Sequence, residues 1–506
     1  MNRKVLAILS GVVLWIATPP VGIWILAWVA LSPLILSILR ARTKWQAAGL
    51  GYLFGWCYLG PLLYWVGNTI VGWTQSDIGW LAWFGLTLVL ALFYAVWAAV
   101  VHGLEKRYTG IRLVLGMAAA WVVMEWCRTL GPLSMPWAQL SYSQYHFLPV
   151  LQISDITGAY GVSFLMLMVN AALAVGWRGR SDDRAWQPLW LGVTLTVLVC
   201  LYGAARMMQP NRGITLPVAT IQTGISSFNV PTTETQLNII DTLVQDASKE
   251  KPAPALYVFP ESGAPGDALH NPVTYLLLQK LAKQTDAGIM IGTSINSKTR
   301  SRSTNSVLLF SPRGGLPDRY DKQQLVPFGE FIPFRALIDP VIGHSFDIPP
   351  DDDSPGDNPH VLTCSTGLYG KLALGPFICY ESMYPQYARF MTRNGATLLV
   401  TQSNDSWFRS SAAREQHLSA VVARAIENRR YIVRSTTTGI TCIIDPEGRV
   451  IAKLPRDVAG YLYRNIQELS GQTIYVRIGD WFLLICLLFT FWNVMPAKFR
   501  RKRNTA

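Results

Sequence analysis

The chain has 506 residues, half of them hydrophobic, and its mean hydropathy is +0.25. Charged residues make up only 15%, whereas a soluble globular protein carries about 25%. This composition excludes an ordinary soluble protein and predicts a membrane protein with room for more than one domain. A net charge of +13 would suit a nucleic-acid binder, but its distribution along the chain argues otherwise.

Long apolar stretches fill the first part of the chain and return once near the C-terminus. Each is close to the ~17–25 residues that a helix needs to cross the hydrocarbon core. The first stretch could also be a cleaved signal peptide, but no small-residue cleavage site follows it, and more spans do. We therefore predict an uncleaved first helix and about eight spans. They cover residues 5–19, 22–39, 47–66, 80–101, 113–130, 161–177, 187–205 and 478–496.

Basic residues accumulate in alternate loops and at both termini. These segments hold 16 basic residues and three acidic ones, a difference that equals the net charge of the whole chain. The positive-inside rule therefore predicts that both termini are cytoplasmic. Seven spans lead to the other side, so the polar segment that follows is expected outside the cytoplasm. If the source is a Gram-negative bacterium, the chain would be a protein of the bacterial inner membrane with this segment in the periplasm. The rest of the chain is electrically balanced, so we expect no nucleic-acid partner. The basic residues are Arg3, Lys4, Arg40, Arg42, Lys44, Lys106, Arg107, Arg112, Arg178, Arg180, Arg184, Lys498, Arg500, Arg501, Lys502 and Arg503.

The polar segment at about 214–466 alternates short β-rich runs with amphipathic helical stretches, which is typical of a layered α/β fold. We predict three domains: a membrane domain at 1–213, an exported domain at 214–470, and a last span with a basic tail at 471–506. The expected strands are 216–222, 255–259, 289–294, 306–310, 372–379, 397–402, 431–435 and 441–445. The expected helices are 235–248, 273–287, 384–394 and 413–428.

The seven cysteines fall into two groups. Four lie in apolar spans, where a cysteine packs as a small hydrophobic residue. Cys364, Cys379 and Cys442 lie in the exported segment, where disulfides are allowed. An odd number leaves at least one free thiol or an intermolecular bridge, and a Cys364–Cys442 bridge stays open. Because no cysteine or histidine spacing resembles a zinc site, we expect no metal.

Three residues of different chemistry follow apolar, strand-like runs. Cys379 ends the run Gly-Pro-Phe-Ile-Cys, Glu261 follows Val-Phe-Pro, and Lys322 follows Tyr-Asp. A thiol with an ordinary pKa of about 8.5 is mostly protonated at neutral pH, so it needs a base or a cation beside it. Taken alone, Cys379 would sooner be a core residue, and Lys322 with Glu330 a solvated pair. Taken together, these residues predict a site for acyl transfer through a thiol.

Several motifs occur in a fixed order along the exported segment. Those that resemble the Glu-Lys-Cys motifs of the nitrilase superfamily are Phe-Pro-Glu-Ser at 259–262, Asp-Lys-x-x-Leu-Val-Pro-Phe-Gly-Glu-Phe-Ile-Pro at 321–333 and Ile-Cys-Tyr-Glu at 378–381. Those that narrow the resemblance to the apolipoprotein N-acyltransferase family are Ser-Asn-Asp-Ser-Trp-Phe at 403–408, Gln-His at 416–417 and Arg-Ala-Ile-Glu-Asn-Arg-Arg at 424–430. The resemblance covers essentially the whole chain and implies a nitrilase-like α-β-β-α sandwich.

The resemblance also implies a role for each matching residue. Cys379 would be the nucleophile, Glu261 the general base and Lys322 the cation that stabilises the oxyanion. Glu330 would orient Lys322 or share the role of base. Glu381 would shape the pocket, although a salt bridge without a catalytic role explains it equally well. Further pocket positions are Tyr380 and Asn305. Candidates for substrate or lid contacts are Trp137, Asn404, Trp407 and Phe408. Trp137 could instead belong to an ordinary aromatic belt at the membrane surface, and Asn404 and Trp407 could simply build a loop.

The family's reaction has two half-steps. Cys379 would take the sn-1 acyl chain of a phospholipid as a thioester. The α-amino group of an apolipoprotein's N-terminal diacylglyceryl-cysteine would then take the chain as an amide. The thioester keeps the acyl potential of the ester, so no cofactor is expected, and both substrates are anchored in the bilayer. The alternatives are a membrane-tethered nitrilase or amidase that releases the chain to water, and an inactive transport or structural membrane protein.

Overall fold

The computed structural model describes residues 2–296, 302–336, 352–409 and 411–495, so the basic tail at 498–503 lies outside the described residues. The chain forms two compact units. One combines Met1–Met208 with Ile478–Ala506, and the other is Gln209–Arg477.

The first unit is helical throughout its regular elements. Four of its described helices are long and apolar enough to cross a membrane: Ile78–Glu105, Gly110–Cys127, Ala159–Arg178 and Asp183–Met207. In chain order its α-helices are α1 (Arg3–Ala17), α2 (Ser32–Leu39), α3 (Lys44–Leu62), α4 (Tyr64–Thr74), α5 (Ile78–Glu105), α6 (Gly110–Cys127), α7 (Leu148–Leu151), α8 (Ser154–Thr157), α9 (Ala159–Arg178) and α10 (Gln187–Met207), and a further helix covers Trp481–Val494. Gly51 lets α3 lie close to α5, since a Cβ atom there would lie 2.3 Å from the carbonyl oxygen of Tyr94.

The predicted span at 22–39 is interrupted. A 3-10 helix at Trp24–Trp28 is followed by α2, which has a proline in its first turn, where a missing N–H costs least. The interruption exposes backbone groups inside an apolar unit, and these groups need partners. Asn170 of α9 supplies them, because its side-chain oxygen accepts from the N–H groups of Leu31 and Ser32 at 2.8 and 3.1 Å.

The second unit is built on two mixed six-stranded sheets. Its described strands are β1 (Ile214–Gln222), β2 (Leu256–Val258), β3 (Gly288–Asn296), β4 (Ser303–Phe310), β5 (Asp318–Asp321), β6 (Leu362–Thr366), β7 (Gly370–Ile378), β8 (Leu398–Ser403), β9 (Ile432–Thr436), β10 (Cys442–Ile444), β11 (Val450–Lys453) and β12 (Gly460–Glu468). The strand order is β12-β1-β2-β3-β4-β5 in one sheet and β11-β10-β9-β8-β7-β6 in the other. In both sheets the central strands, β1-β2-β3 and β7-β8-β9, run parallel.

Helices cover these sheets, and the sheets contact each other. The helices are α11 (Thr233–Ala247), α12 (Pro272–Thr285), α13 (Pro385–Arg393), α14 (Ala413–Asn428) and α15 (Ile474–Ile478). Side chains of α11 and α12, such as Ile240 and Leu281, share a core with Ile289 of the first sheet, while α13 contacts β7 and β8 of the second. Between the sheets, the Gln402 amide donates to the carbonyl oxygen of Phe259 at 2.5 Å. The prediction of a layered α/β fold is confirmed.

The strands that the sequence analysis missed are the four sheet edges, β5, β6, β11 and β12. Edge strands are solvated on one side, and β5, β11 and β12 lack the apolar pattern that reveals a buried strand. Accordingly, β11 is exposed or half-buried along its whole length, and one of the four β5 residues is buried. The residues of β6 alternate in burial, but this strand consists mainly of Thr, Ser and Cys, which give a weak apolar signal. The eight predicted strands and four predicted helices of this unit are found within a few residues of their expected bounds.

The strand order also settles the disulfide left open by the sequence. Cys364 lies on β6 and Cys442 on β10, with three strands between them. Neighbouring strands are about 4.8 Å apart, so the two cysteines are separated by roughly 19 Å, whereas a disulfide needs Cα atoms within about 7 Å. A Cys364–Cys442 bridge is therefore excluded, and both cysteines are free and buried.

Candidate active site

Strand ends from both sheets bring the predicted triad together. Glu261 follows β2, Lys322 follows β5, and Cys379 follows β7. The ammonium group of Lys322 lies 3.1 Å from Glu261 Oε1 and 2.7 Å from Glu330 Oε1. The lysine side chain is 1% exposed, so these contacts are made away from bulk water. Glu261 and Lys322 thus form a buried cluster with the half-buried Glu330, and the charges of Glu261 and Lys322 both act on the buried thiol of Cys379.

Asn305 on β4 ties the two carboxylates to each other. Its side-chain amide donates to Glu261 Oε1 at 2.7 Å and to Glu330 Oε1 at 2.9 Å. The backbone carbonyl oxygen of Asn305 accepts a hydrogen bond from the backbone N–H of Lys322 at 2.8 Å. Asn305 and Lys322 therefore lie between two carboxylates that would otherwise repel each other.

The charge state of Lys322 follows from these neighbours. Burial works to lower the pKa of its ammonium group, but the negative charges of Glu261 and Glu330 outweigh that effect and raise the pKa well above its usual value. Lys322 is therefore a fixed cation. A fixed cation in a buried site is suited to stabilising negative charge that develops on a substrate oxygen.

Cys379 has a strained backbone. Its φ is +48°, a left-handed conformation that costs a residue with a Cβ atom about 1–2 kcal/mol. Two fully buried side chains hold its carbonyl oxygen, the Ser382 hydroxyl at 2.7 Å and His417 Nε2 at 2.9 Å. These bonds and the sharp turn after β7 present the thiol at the end of the strand.

The Cys379 thiol is protonated at rest. Burial and the negative charge of Glu261 raise its pKa, and the opposing effects of Lys322 and a hydrogen bond with Ser403 are weaker. A thiol in this state becomes nucleophilic only as its proton leaves, so it needs a base in the same site. Glu261 is the carboxylate whose charge acts most strongly on the thiol.

Glu381 connects the turn at Cys379 with the segment that carries Lys322. One carboxylate oxygen accepts from the Tyr320 hydroxyl at 2.9 Å and from the Gln323 N–H at 2.7 Å, and the other accepts from the Ile378 N–H at 2.6 Å. Burial raises its pKa to about 7, against the lowering effect of these hydrogen bonds and of Lys322. Glu381 thus joins the segment that carries Lys322 to the turn at Cys379 through hydrogen bonds from one hydroxyl and two backbone N–H groups.

The end of β8 contributes two residues to the site: Asn404, which the sequence analysis gave only as a candidate for substrate or lid contacts, and Ser403, which it did not propose as a site residue. The backbone N–H of Asn404 donates to Glu261 Oε2 at 2.6 Å, so this predicted residue contacts the candidate base through its main chain. Ser403, which was missed, lies with its hydroxyl oxygen 3.3 Å from Cys379 Sγ.

Asp405 and Arg434 form a fully buried ion pair at 2.9 Å next to these residues, and His417 lies 3.6 Å from Asp405. In the sequence, Ser403, Asp405 and His417 belong to the motifs at 403–408 and 416–417. No pattern in these motifs indicates which side chain reaches Cys379.

The remaining predicted positions lie as follows. Tyr380 is buried beside Cys379 and contacts Tyr384 edge-on, with ring centroids 5.3 Å apart. Trp407 and Phe408 are half-buried and lie in a short 3-10 helix, Asp405–Phe408. Trp137 belongs to the first unit, where it is 3% exposed and packs on Trp65 at 5.1 Å. No cluster of three or more histidine, cysteine or acidic side chains suited to a metal occurs among the described residues.

Comparisons with known proteins cover both units. A model of the apolipoprotein N-acyltransferase N-terminal domain matches residues 10–172, and a model of the carbon-nitrogen hydrolase family matches residues 217–475. Apolipoprotein N-acyltransferase of Geobacter metallireducens is 35% identical over 508 aligned residues, covering 98% of this chain and 95% of that protein. The protein of the same name from Methylococcus capsulatus is 30% identical, covering 95% and 93%.

Among solved structures, Saccharomyces cerevisiae Nit3, a member of branch 10 of the nitrilase superfamily, aligns with a TM-score of 0.39 and 21% identity, covering 51% of this chain and 91% of that one. The two domain matches and the relatives aligned over nearly their whole length show that the chain belongs to the apolipoprotein N-acyltransferase family.

Proposed function

We propose that this protein is an acyltransferase that moves an acyl chain from a phospholipid, through a thioester on Cys379, to the N-terminal amine of a diacylglyceryl apolipoprotein. Family membership supports the lipoprotein as acceptor and the membrane as the setting. One observation carries the mechanism. A buried thiol that is protonated at rest shares its site with a carboxylate and a fixed cation.

In the first half-step, Glu261 takes the Cys379 proton as the sulfur attacks the sn-1 ester carbonyl. A C–S bond forms, and the oxyanion is stabilised by Lys322, whose contact with Glu261 weakens once that carboxylate is protonated. The tetrahedral intermediate then expels the glycerol oxygen, which leaves as a lysophospholipid with the proton from Glu261. Glu330 keeps Lys322 in place throughout, since it lies 2.7 Å from the ammonium group.

In the second half-step, the neutral α-amino group of the apolipoprotein attacks the thioester. Glu261, again a carboxylate, accepts a proton from the nitrogen as the C–N bond forms. The thiolate leaves and regains that proton, which returns the site to its resting state. No ATP or coenzyme is required, because the thioester retains the acyl potential of the ester.

We further propose the arrangement of the chain in the membrane. Residues 1–213 would supply seven spans and residues 471–506 an eighth, and the catalytic domain at 214–470 would lie in the periplasm, with both termini in the cytoplasm. The excess of basic residues in alternate loops supports this topology. Trp407 and Phe408 are our candidates for contacts with the substrates' acyl chains, since both are half-buried aromatic side chains that follow Asn404 in the chain.

Mass spectrometry of the purified full chain tests the first half-step. Incubation with a phosphatidylethanolamine, without acceptor, should add one acyl group to Cys379 and release lysophospholipid. Hydroxylamine should remove the adduct, since it cleaves thioesters at neutral pH. Cys379→Ala should carry no adduct, whereas Cys364→Ala, which removes another buried thiol of the same domain, should be acylated like the wild type.

A diacylglyceryl lipopeptide tests the second half-step. Added to the acylated enzyme, it should become N-acylated as the Cys379 adduct disappears. Release of free fatty acid with no lipopeptide amide would instead identify a hydrolase. An active wild type that never carries an acyl group on Cys379 in rapid-quench samples would refute the thioester mechanism.

A further inference from the structure

A second hydroxyl group lies against the candidate nucleophile. The Ser403 oxygen at the end of β8 lies 3.3 Å from Cys379 Sγ and 2.6 Å from Asp405 Oδ1. All three side chains are buried, and Ser403 and Asp405 are fully so. A hydroxyl has one proton to donate and two lone pairs that accept, so it cannot donate to both neighbours at once.

The charge of Asp405 decides where that proton lies. Burial works to raise the pKa of Asp405, but Arg434, His417 and the Ser403 hydroxyl outweigh it and hold the pKa well below its usual range. Asp405 is therefore a carboxylate, which can only accept. A bond of 2.6 Å to a charged acceptor is stronger than one of 3.3 Å to a neutral sulfur. In the resting site Ser403 thus donates to Asp405 and accepts the hydrogen of the Cys379 thiol.

Removal of the thiol proton changes this balance. A thiolate can no longer donate to Ser403, and it becomes a charged acceptor at the same distance. Asp405 can release the hydroxyl, because Arg434 Nη2 still donates to both of its oxygens, at 2.9 and 3.1 Å. A hydrogen bond from Ser403 would lower the pKa of Cys379, against the effects of burial and Glu261.

We propose that Ser403 is a further catalytic residue, a hydroxyl that turns from Asp405 to Cys379 Sγ as the thiol loses its proton to Glu261. Its own proton stays on the hydroxyl oxygen throughout, so the step needs no additional reactant. Asp405 and Arg434 are positioning residues that act through this hydroxyl. The same turn recurs in the second half-step, when the thiolate leaves the acyl group. The proposal deepens the proposed function and rests on Cys379 as the nucleophile.

Ser403→Ala tests the proposal, with Ser435→Ala as the matched control. Ser435 is a fully buried serine on the neighbouring strand β9, and its hydroxyl donates to the carbonyl oxygen of Ile221 at 2.6 Å. Its loss also removes one buried hydroxyl from the same sheet, but this hydroxyl has no contact with the site. Both variants would be purified as full chains and compared by circular dichroism and thermal unfolding.

Two readouts separate a catalytic from a structural role. The first is the pH dependence of Cys379 alkylation by iodoacetamide, followed on the Cys379 peptide by mass spectrometry. For Ser403→Ala we expect the apparent pKa to rise by about one unit and the rate at pH 7 to fall about 10-fold. The second is the rate of acyl-adduct formation with phosphatidylethanolamine in detergent micelles. Here the limiting rate constant should fall about 10-fold at an unchanged half-saturating lipid concentration, and Ser435→Ala should match the wild type in both readouts.

An alkylation profile of Ser403→Ala that overlays that of the wild type overturns the proposal. Alkylation requires no lipid, so this result is distinct from a wild type that forms no acyl adduct, which refutes the proposed function instead. If Ser403→Ala does not fold, the S–H stretching band of Cys379 decides the question. This band is obtained by subtracting the infrared spectrum of Cys379→Ala from that of the wild type. A band shifted to the low frequency of a hydrogen-bonded thiol supports the proposal, and a band at the frequency of a free thiol overturns it.

Discussion

Glu381→Gln separates the charge of this residue from its hydrogen bonds. The glutamine oxygen can replace the carboxylate oxygen that accepts from Tyr320 and Gln323. Its NH₂ group must then face the Ile378 N–H, which lies 2.6 Å from the other oxygen in the wild type. Two donors meet there, and a buried N–H without a partner costs about 1–3 kcal/mol. Because Ile378 precedes Cys379, we expect the thiol to shift and acylation to slow about 10- to 100-fold.

The effect on stability should depend on pH. The pKa of Glu381 is raised from an ordinary 4.5 to about 7, so between these values the folded state holds a proton that the unfolded chain has released. Stability from this residue is complete below pH 4.5 and is lost as pH rises towards 7, by roughly 3 kcal/mol for a shift of this size. Glutamine does not titrate. The variant should therefore be less stable than the wild type at pH 5 by about 1–3 kcal/mol, and as stable or more stable at pH 8.

The assay pairs two measurements on the full chain in detergent. Thermal midpoints would be recorded from pH 5 to pH 8, where about 1 kcal/mol corresponds to roughly 2–4 °C. Rapid-quench mass spectrometry would give the rate of Cys379 acylation. The control is Glu447→Gln, since Glu447 is a buried glutamate with a raised pKa that contacts Asn211 and Arg449 instead. Wild-type acylation by Glu381→Gln, or equal slowing by Glu447→Gln, would refute the reasoning.

Three further variants test other contacts. Asn305→Ala removes both bonds to Glu261 and Glu330, and it should slow Cys379 acylation at least about 10-fold in the same rapid-quench assay; a rate within twofold of the wild type would contradict the role given to Asn305. Arg434→Met leaves Asp405 buried without its counter-ion and should lower the free energy of unfolding by about 3–5 kcal/mol. The double variant Arg434→Met/Asp405→Asn should recover part of this loss, and equal thermal midpoints of the single and double variants would argue against the ion pair. Gly51→Ala should destabilise the membrane unit, because its Cβ atom would meet the Tyr94 carbonyl oxygen at 2.3 Å, whereas Gly85→Ala, with open space around it, should melt like the wild type in detergent.

The sequence could single out Glu261, Lys322 and Cys379 as candidates because each belongs to a contiguous motif at a strand end, and the structure brings the three together. Phe-Pro-Glu-Ser, Asp-Lys and Ile-Cys-Tyr-Glu can be read without knowing how the sheets pair. The buried strands were equally readable from their apolar runs. Edge strands such as β11 were missed, since half-exposed strands resemble loops in composition.

The contacts behind Cys379 could not be predicted, because they depend on strand register and on one backbone angle. Ser403 faces the thiol because β8 pairs in parallel with β7, with Gln402 opposite Ile378. Arg434 reaches Asp405 because β9 pairs with β8 in a register that places it opposite Thr401. The positive φ of Cys379 then aims its carbonyl oxygen at Ser382 and His417. Each of these depends on residues distant in the chain, and no local pattern encodes it.

The charges of the site explain how one set of residues could serve both proposed half-steps. At rest Lys322 balances one of its two carboxylate neighbours, which leaves one negative charge on the cluster. When Glu261 takes the thiol proton, that charge moves to the substrate oxyanion, and the total is unchanged. Because no charge enters or leaves the buried site during the attack, the surrounding protein dipoles need to reorient little. The amine attack repeats the same exchange with Glu261 as base.

Nothing in this exchange distinguishes an amine from water, since Glu261 could take a proton from either. The choice between acyl transfer and hydrolysis therefore cannot lie in the triad. It must lie in what reaches the thioester, and in the proposed reaction both partners carry acyl chains that hold them at the bilayer. A variant that admits water should keep the rate of acylation and lose the yield of amide, with free fatty acid in its place. A shift in the ratio of amide to free fatty acid at an unchanged acylation rate would show that exclusion of water, rather than the catalytic residues, makes the protein a transferase.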